Sequence, residues 1–368
     1  RDFQSNEIIV DNDDPKGHFY KETNGEKLSW EDGDSVGFAH RKEIYGEGEN
    51  PFTMGSYRQI TSEKKGDASA SWTAHFPHSG RYAVYVSYHT LPNSTSQALY
   101  TVHHAGGSTN FIVNQKQGEK TWIYLGTFFF NRGFNPNRGS VTLTNKSKQN
   151  GKIITADAVK FGGGNGNIGR MAADSTLQPS GKKRYLEGAR YWLQWAGFPD
   201  SIYNRNNSEN EYKDDYMCRP YWVNNLLGGS TKSIETKGKQ IPIELAMGFH
   251  TDAGQTLKDS IIGTMTIYMS ESEGKREFVN GQRRLASRDL ADIVQTQIVS
   301  DIKSLYRENW TRRKLTDQSY FEARVPEVPT FLLELLSHQN FTDMQYGLDP
   351  NFRFHVSRAI YKGLLKFL

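Results

Sequence analysis

The sequence predicts two kinds of structure in one chain, an all-β sandwich followed by an α/β sheet covered by helices. Three observations carry this. Up to about Gly164, short alternating apolar runs recur with Gly, Pro and Asn between them, the pattern of strands and turns in a sandwich. After Lys183, helical periods alternate with short apolar runs, as in a sheet with helices on its faces. Between the two, residues 164–183 start glycine-rich and continue without periodicity, which reads as a linker.

Composition agrees with this division. The chain has 368 residues, comfortable for two domains. Hydrophobic residues make up 36%, yet aromatics reach 12% and Gly numbers 34, a mixture suited to strands and turns. Net charge is +4 from 45 basic and 41 acidic residues, and no basic stripe carries interleaved aromatics, so a nucleic-acid partner is not expected. No apolar run approaches ~18 residues, so no transmembrane segment is expected. Cys218 is the single cysteine, which excludes an intrachain disulfide and leaves the compartment open. Arg1 begins the chain with no signal-like segment, as after removal of a leader or in a piece of a longer polypeptide.

The elements follow in order. Glu7–Val10 reads as a strand, and Asp11 to Pro15 as a strong turn. Further strands are expected at 70–76, 80–88, 98–103, 110–114, 121–130, 139–144 and 153–161. In the second half, Tyr185–Ala196 is amphipathic and stops at Gly197 and Pro199, as helices do. Cys218–Leu227 reads as a second helix. Leu290, Ile293, Val294, Ile298, Ile302 and Leu305 give 287–306 the clearest helical period, and 352–368 forms a closing helix. Ile241–Phe249, Gly263–Met269 and Val328–Leu333 are the expected strands of the sheet.

Two of those strands end on reactive groups. Ile241–Phe249 runs into His250, and Val328–Leu333 runs into Glu334. Open α/β sheets bind ligands just beyond the carboxyl ends of their strands. An imidazole can ligate zinc, and a carboxylate beside it can move the proton of an attacking water. The same two residues also fit ordinary strand-end hydrogen bonds, and spacing leaves both readings standing.

Motifs around these residues carry two resemblances. Trp122 to Phe130, Val141-Thr142-Leu143-Thr144 and Ala156 to Phe161 make residues 8–163 resemble the golvesin C-terminal-like domain, a module also similar to the carbohydrate-binding part of xanthan lyases. Arg219-Pro220-Tyr221-Trp222-Val223-Asn224, then Gly248-Phe249-His250-Thr251-Asp252-Ala253, then Pro329 to Glu334 with Asn340 and Asp343, make residues 184–368 resemble a zinc-dependent N-acetylmuramoyl-L-alanine amidase domain of the amidase_3 type.

The second resemblance implies a mixed sheet flanked by helices, with the all-β sandwich inserted into it. It implies zinc as cofactor, His250 as a zinc ligand and Glu334 as the catalytic acid and base. Arg219, Asp252 and Asn340 would bind substrate or brace the site. The family's Gly-His-Gly turn and glutamate ligand are missing; Gly17-His18 is the nearest match and lacks a strand before it. Arg1-Asp2-Phe3 resembles the end of the family's second strand, so residues 1–7 would close an N-terminal amidase segment and the other zinc ligands would lie upstream of Arg1. The implied partner is peptidoglycan or another glycan, and the implied location is the bacterial envelope or outside the cell. A non-catalytic wall- or polysaccharide-binding protein, or polysaccharide processing of the xanthan-lyase kind, are the alternatives.

Other groups read more simply. Gly164 to Gly169 formally matches G-x-G-x-x-G, but no helix opens at its third glycine. His103 and His104 are neighbours on a strand and point to opposite faces. Asp11, Asp13 and Asp14 could hold calcium through oxygen ligands, with a capped turn as the simpler reading. Trp30, Tyr45, Tyr57 and Trp72 could stack on sugars but suit a core. His338 and His355 read as structural, and Arg312-Arg313-Lys314 as a solvated run.

Overall fold

The computed structural model describes residues 7–14, 19–42, 44–163, 169–171, 176–179 and 186–368. Arg1-Asp2-Phe3, Gly17-His18, the glycine motif before Gly169 and most of the expected linker lie outside the described residues. The chain forms two compact units, Arg1–Asp215 and Tyr216–Leu368. The fold is mixed α and β, as the sequence predicts.

In the first unit, a four-stranded sheet runs in the order Ile8–Val10, Val159–Phe161, Gly80–Val86, Ile123–Phe130. A five-stranded sheet runs Tyr20–Thr23, Ser69–Thr73, Ser140–Thr144, Ala98–His104, Gly107–Val113. Neighbouring strands are antiparallel in both. Their alternating residues meet in one core, with Trp72, Tyr82, Val84, Tyr100, Val102, Phe130, Leu143 and Phe161 all buried. The expected 153–161 strand is two strands, because Asp157 and Ala158 leave the ladder and the pieces pair in different sheets. Trp30, Tyr45, Tyr57 and Trp72 are all buried, so none is free to stack on a sugar.

The helix Ala189–Trp195 belongs to this unit, whereas the α/β domain was expected from residue 184. Gln194 donates to the Gly46 carbonyl at 2.6 Å, and Thr121 donates to the Ala196 carbonyl at 2.7 Å. The fully buried Lys160 ammonium lies 4.0 Å from the Tyr85 ring centroid and 3.7 Å from that of Trp195. A desolvated cation held over aromatic faces is worth roughly 2 kcal/mol. Gly197 ends the helix at φ +84, and a Cβ there would stand 2.4 Å from the Phe52 ring.

The second unit is built on a four-stranded sheet in the order Ala246–Asp252, Thr330–Ser337, Met265–Tyr268, Thr316–Asp317. The first and last pairs are parallel and the middle pair antiparallel, so the sheet is mixed. Leu285–Leu305 and Pro350–Phe367 are the long helices. Leu290, Val294, Ile298 and Ile302 pack with Phe331, Leu333, Phe352, Val356 and Ile360 in one core. Burying each such side chain contributes about 1.5–3 kcal/mol. Gly363 allows the two helices to touch: a Cβ there would lie 2.8 Å from Val294 Cα. The helix Glu211–Leu227 starts earlier than expected and carries Pro220 inside it. No helix among the described residues is long and apolar enough to cross a membrane.

Candidate active site

Ala246–Asp252 and Thr330–Ser337 lie side by side and parallel, and their register makes His250 and Glu334 Cα partners. Partners on parallel strands project to the same face. Both sit toward the carboxyl ends of their strands, where an open sheet presents ligands. Past this pair the register shifts, with Asp252 opposite Ser337, and the bulge re-aims the strand end. In Thr330–Ser337 every residue but Glu334 is buried.

His250 Nε2 is 2.8 Å from Glu322 Oε2. The other Glu322 oxygen accepts from Arg219 Nη1 at 3.2 Å. Glu322 thus lies between the Arg219 guanidinium and the His250 imidazole. Glu322 is placed by the short helix Phe321–Arg324, whose Phe321 packs against the Tyr216 and Tyr221 rings at 5.7 and 5.6 Å. Asn224 fixes the next turn, donating to the Val325 carbonyl and accepting from the Glu327 amide, both at 2.9 Å.

The hydrogen bond that His250 Nε2 donates to Glu322 raises the proton affinity of His250 above that of an ordinary histidine, against the opposing effect of burial. Burial pushes Glu322 up, but His250 and Arg219 outweigh it and hold the carboxyl below its usual range. Glu334 goes the other way. Burial raises it, Asp252 and Glu322 add to the rise, and His250 and Arg313 only partly offset it. Glu334 Oε2 is buried and has no hydrogen-bond partner among the described residues. A carboxyl whose proton affinity is raised by burial is a candidate for general acid–base chemistry.

The remaining expected residues do other things. Asp252 forms an ion pair with Arg313 at 2.5 Å, and although burial pushes its carboxyl up, Arg313 and the Ala253 amide hold it low. Arg313 is therefore a site residue, not part of a solvated run, while Arg312 pairs with Asp292. Asn340 is buried and structural. It caps Phe341–Leu348 by accepting from the Asp343 amide at 2.9 Å and donates to the Ser260 carbonyl at 2.9 Å. His338 meets Thr251 at 3.1 Å and His355 meets Tyr306 at 2.6 Å. His103 bonds to Ser108 and Thr142, and His104 to Thr109.

Sequence reasoning missed Glu322 and Arg313. The available signal for Glu322 was a carboxylate between Phe321 and Ala323 shortly before the Glu334 strand. Zinc is the expected cofactor, and catalytic zinc takes three protein ligands and a water. Among the described residues no group of three His, Cys, Asp or Glu side chains could hold a metal ion.

Residues 48–163 match the Golvesin C-terminal domain family. A xanthan lyase of Bacillus sp. (strain GL1) is 35% identical over 108 residues, which is 29% of this chain and 11% of that protein's length. Among solved structures, Paenibacillus xanthan lyase is similar over 43% of this chain and 13% of its own, at 25% identity and a TM-score of 0.33. An N-acetylmuramoyl-L-alanine amidase from Clostridium difficile 630 is similar over 44% of this chain and 86% of its own, at 16% identity and a TM-score of 0.27.

Proposed function

We propose that Tyr216–Leu368 is catalytic and hydrolyses the N-acetylmuramoyl-L-alanine amide bond of peptidoglycan, and that the β-sandwich is an accessory module that binds wall glycan. The observation that carries this reading is the pairing of His250 with Glu334 at adjacent strand ends, with one Glu334 oxygen buried and unpaired. The order of the Arg219, His250 and Glu334 motifs along the chain supports it. In this reading the sandwich interrupts the catalytic domain, and the protein works in the bacterial envelope or outside the cell.

Glu334 is the acid and base. It takes a proton from the attacking water as the new carbon–oxygen bond forms, then gives that proton to the leaving amine as the carbon–nitrogen bond breaks. Burial raises its proton affinity above that of an ordinary carboxylate, the direction that acid–base work calls for. Asp252, tied to Arg313, adds negative charge nearby and sustains that rise. Zinc, with His250 as one ligand, is part of the proposal, and the other ligands lie outside the described residues.

A second reading has one observation in its favour. Glu322 engages His250 Nε2, the atom that a metal would take. If that pairing is permanent, the unit is a non-catalytic wall-binding relative of the amidases. Incubation with purified peptidoglycan separates the readings. The amidase reading expects new free amino groups on L-alanine, with no new reducing sugar ends and no unsaturated sugars. Binding to peptidoglycan without release of amines would establish the second reading, and unsaturated sugars would establish a lyase.

A further inference from the structure

The closing helix Pro350–Phe367 is apolar on two sides. Phe352, Val356, Ala359, Ile360 and Gly363 form its buried side, against the core it shares with Leu285–Leu305. On the other side Phe354, Tyr361 and Leu365, with Leu368 just past the helix end, are 64%, 61%, 54% and 71% exposed. They stand seven, four and three residues apart, which sets them in one row along the helix, opposite the core. Single exposed apolar side chains are ordinary, but a row of four down the outer face of a helix marks an interaction surface.

The charges beside the row are all of one sign. Arg353, Arg358, Lys362 and Lys366 are basic, and the helix contains no Asp or Glu. Lys362 donates to Asp301 at 2.7 Å and Lys366 to Gln297 at 2.6 Å, and both partners lie on Leu285–Leu305. These contacts fix the rotation of the helix with the row outward. Arg353 donates to the Leu348 carbonyl at 3.0 Å, a contact that leaves its charge uncancelled. Arg358 is exposed and stands within the row, one turn from Phe354 and one from Tyr361. A second copy of this face would set like charges against one another. A glycan, polar along its length, would give Leu365 and Leu368 no apolar phase to enter.

We propose that this face rests on an anionic lipid bilayer, with the helix lying in the plane of the interface. Phe354, Tyr361, Leu365 and Leu368 would enter the boundary between headgroups and acyl chains, and Arg353, Arg358 and Lys366 would meet the lipid phosphates. The helix is already docked on its own core, so the row meets the bilayer preformed and little ordering cost accompanies binding. Four apolar side chains make a reversible attachment, and the cations make it depend on anionic lipid and weaken with salt.

Co-sedimentation of the full chain with lipid vesicles tests this. One set is phosphatidylcholine alone, and the other is phosphatidylcholine mixed with phosphatidylglycerol. Binding to the mixed vesicles is expected at low salt, about tenfold or more weaker on phosphatidylcholine alone, and weaker again at about 0.5 M sodium chloride. Phe354→Gln with Leu365→Gln should weaken binding about tenfold or more while leaving Tm unchanged, because both side chains are exposed in the free protein. Arg358→Gln should weaken binding to the mixed vesicles about fivefold. Leu257→Gln, which changes an exposed leucine away from this helix, should bind as wild type. Failure to sediment with the mixed vesicles, equal binding to both lipid sets, or wild-type binding by the Phe354→Gln and Leu365→Gln double variant would overturn the proposal. So would a stable dimer that the same double variant separates, since a second copy would then cover the row.

Discussion

Each unit holds a histidine close to a glutamate, and the two pairs behave oppositely. In the sandwich, His89 Nδ1 lies 3.2 Å from Glu119 Oε2. In the second unit, His250 Nε2 lies 2.8 Å from Glu322 Oε2. Burial holds His89 below an ordinary histidine despite Glu119, and Lys120 adds to the fall. The hydrogen bond to Glu322 holds His250 above one. The difference is geometry. His89 is stacked on the Tyr57 ring at 4.6 Å, and its Nδ1 makes no hydrogen bond, while Glu119 accepts from the Thr90 amide at 3.0 Å. Glu322 points one oxygen at His250 and the other at Arg219. A nearby carboxylate therefore does not by itself raise a histidine's proton affinity; an aimed hydrogen bond does.

The strongest way to break this contrast is Glu322→Gln. It removes the charge between Arg219 and His250, and we expect a loss of about 1–3 kcal/mol of stability in the second unit, read by denaturant unfolding. Glu119→Gln should cost less, about 1 kcal/mol or below, because that carboxylate is partly exposed and not aimed at its histidine. Equal losses would erase the distinction between the pairs.

The smallest effect is the pH response of the sandwich. His89 binds its proton less readily folded than unfolded, so its contribution is fully present above the unfolded histidine value and is lost as pH falls through the folded one. Glu119 partly opposes this, and Asp34 and Lys120 also face the ring's field. The His89 share of stability should therefore fall as pH drops below about 6.5, against the opposite slope from the raised carboxyls of Asp11 and Asp157, and His89→Gln should remove that share alone. A slope unchanged in His89→Gln would show that another group titrates.

How much of this was legible in the sequence depends on locality. Val328–Leu333 gave away the central strand because a short apolar run between turn signals has few other readings. The strand continues to Ser337 because Leu335 and Leu336 are also buried, which the polar Glu334 disguised. Pro242 lies in the run expected to start the His250 strand, and pairing begins only at Ala246. Pro220 hid the first turns of Glu211–Leu227, since a proline usually marks a helix start rather than its middle. Glu322 had no periodic signal, because its helix, Phe321–Arg324, is a single turn held by aromatic contacts from residues far away in sequence. Asp252 and Arg313 likewise meet only through the sheet and the loop beside it.

The central claim is that Glu334 is the proton carrier of a hydrolytic site shared with His250. Its most direct test is the rate of cleavage of a muramoyl-L-alanine amide by wild-type protein and Glu334→Gln, with thermal unfolding measured alongside. The account predicts a fall of roughly 10²–10⁴-fold in turnover. It also predicts an unfolding temperature at or slightly above wild type, since the substitution removes a carboxyl whose buried oxygen has no partner. Turnover within a factor of about two of wild type, on the scale where ~1.4 kcal/mol is tenfold, would contradict it.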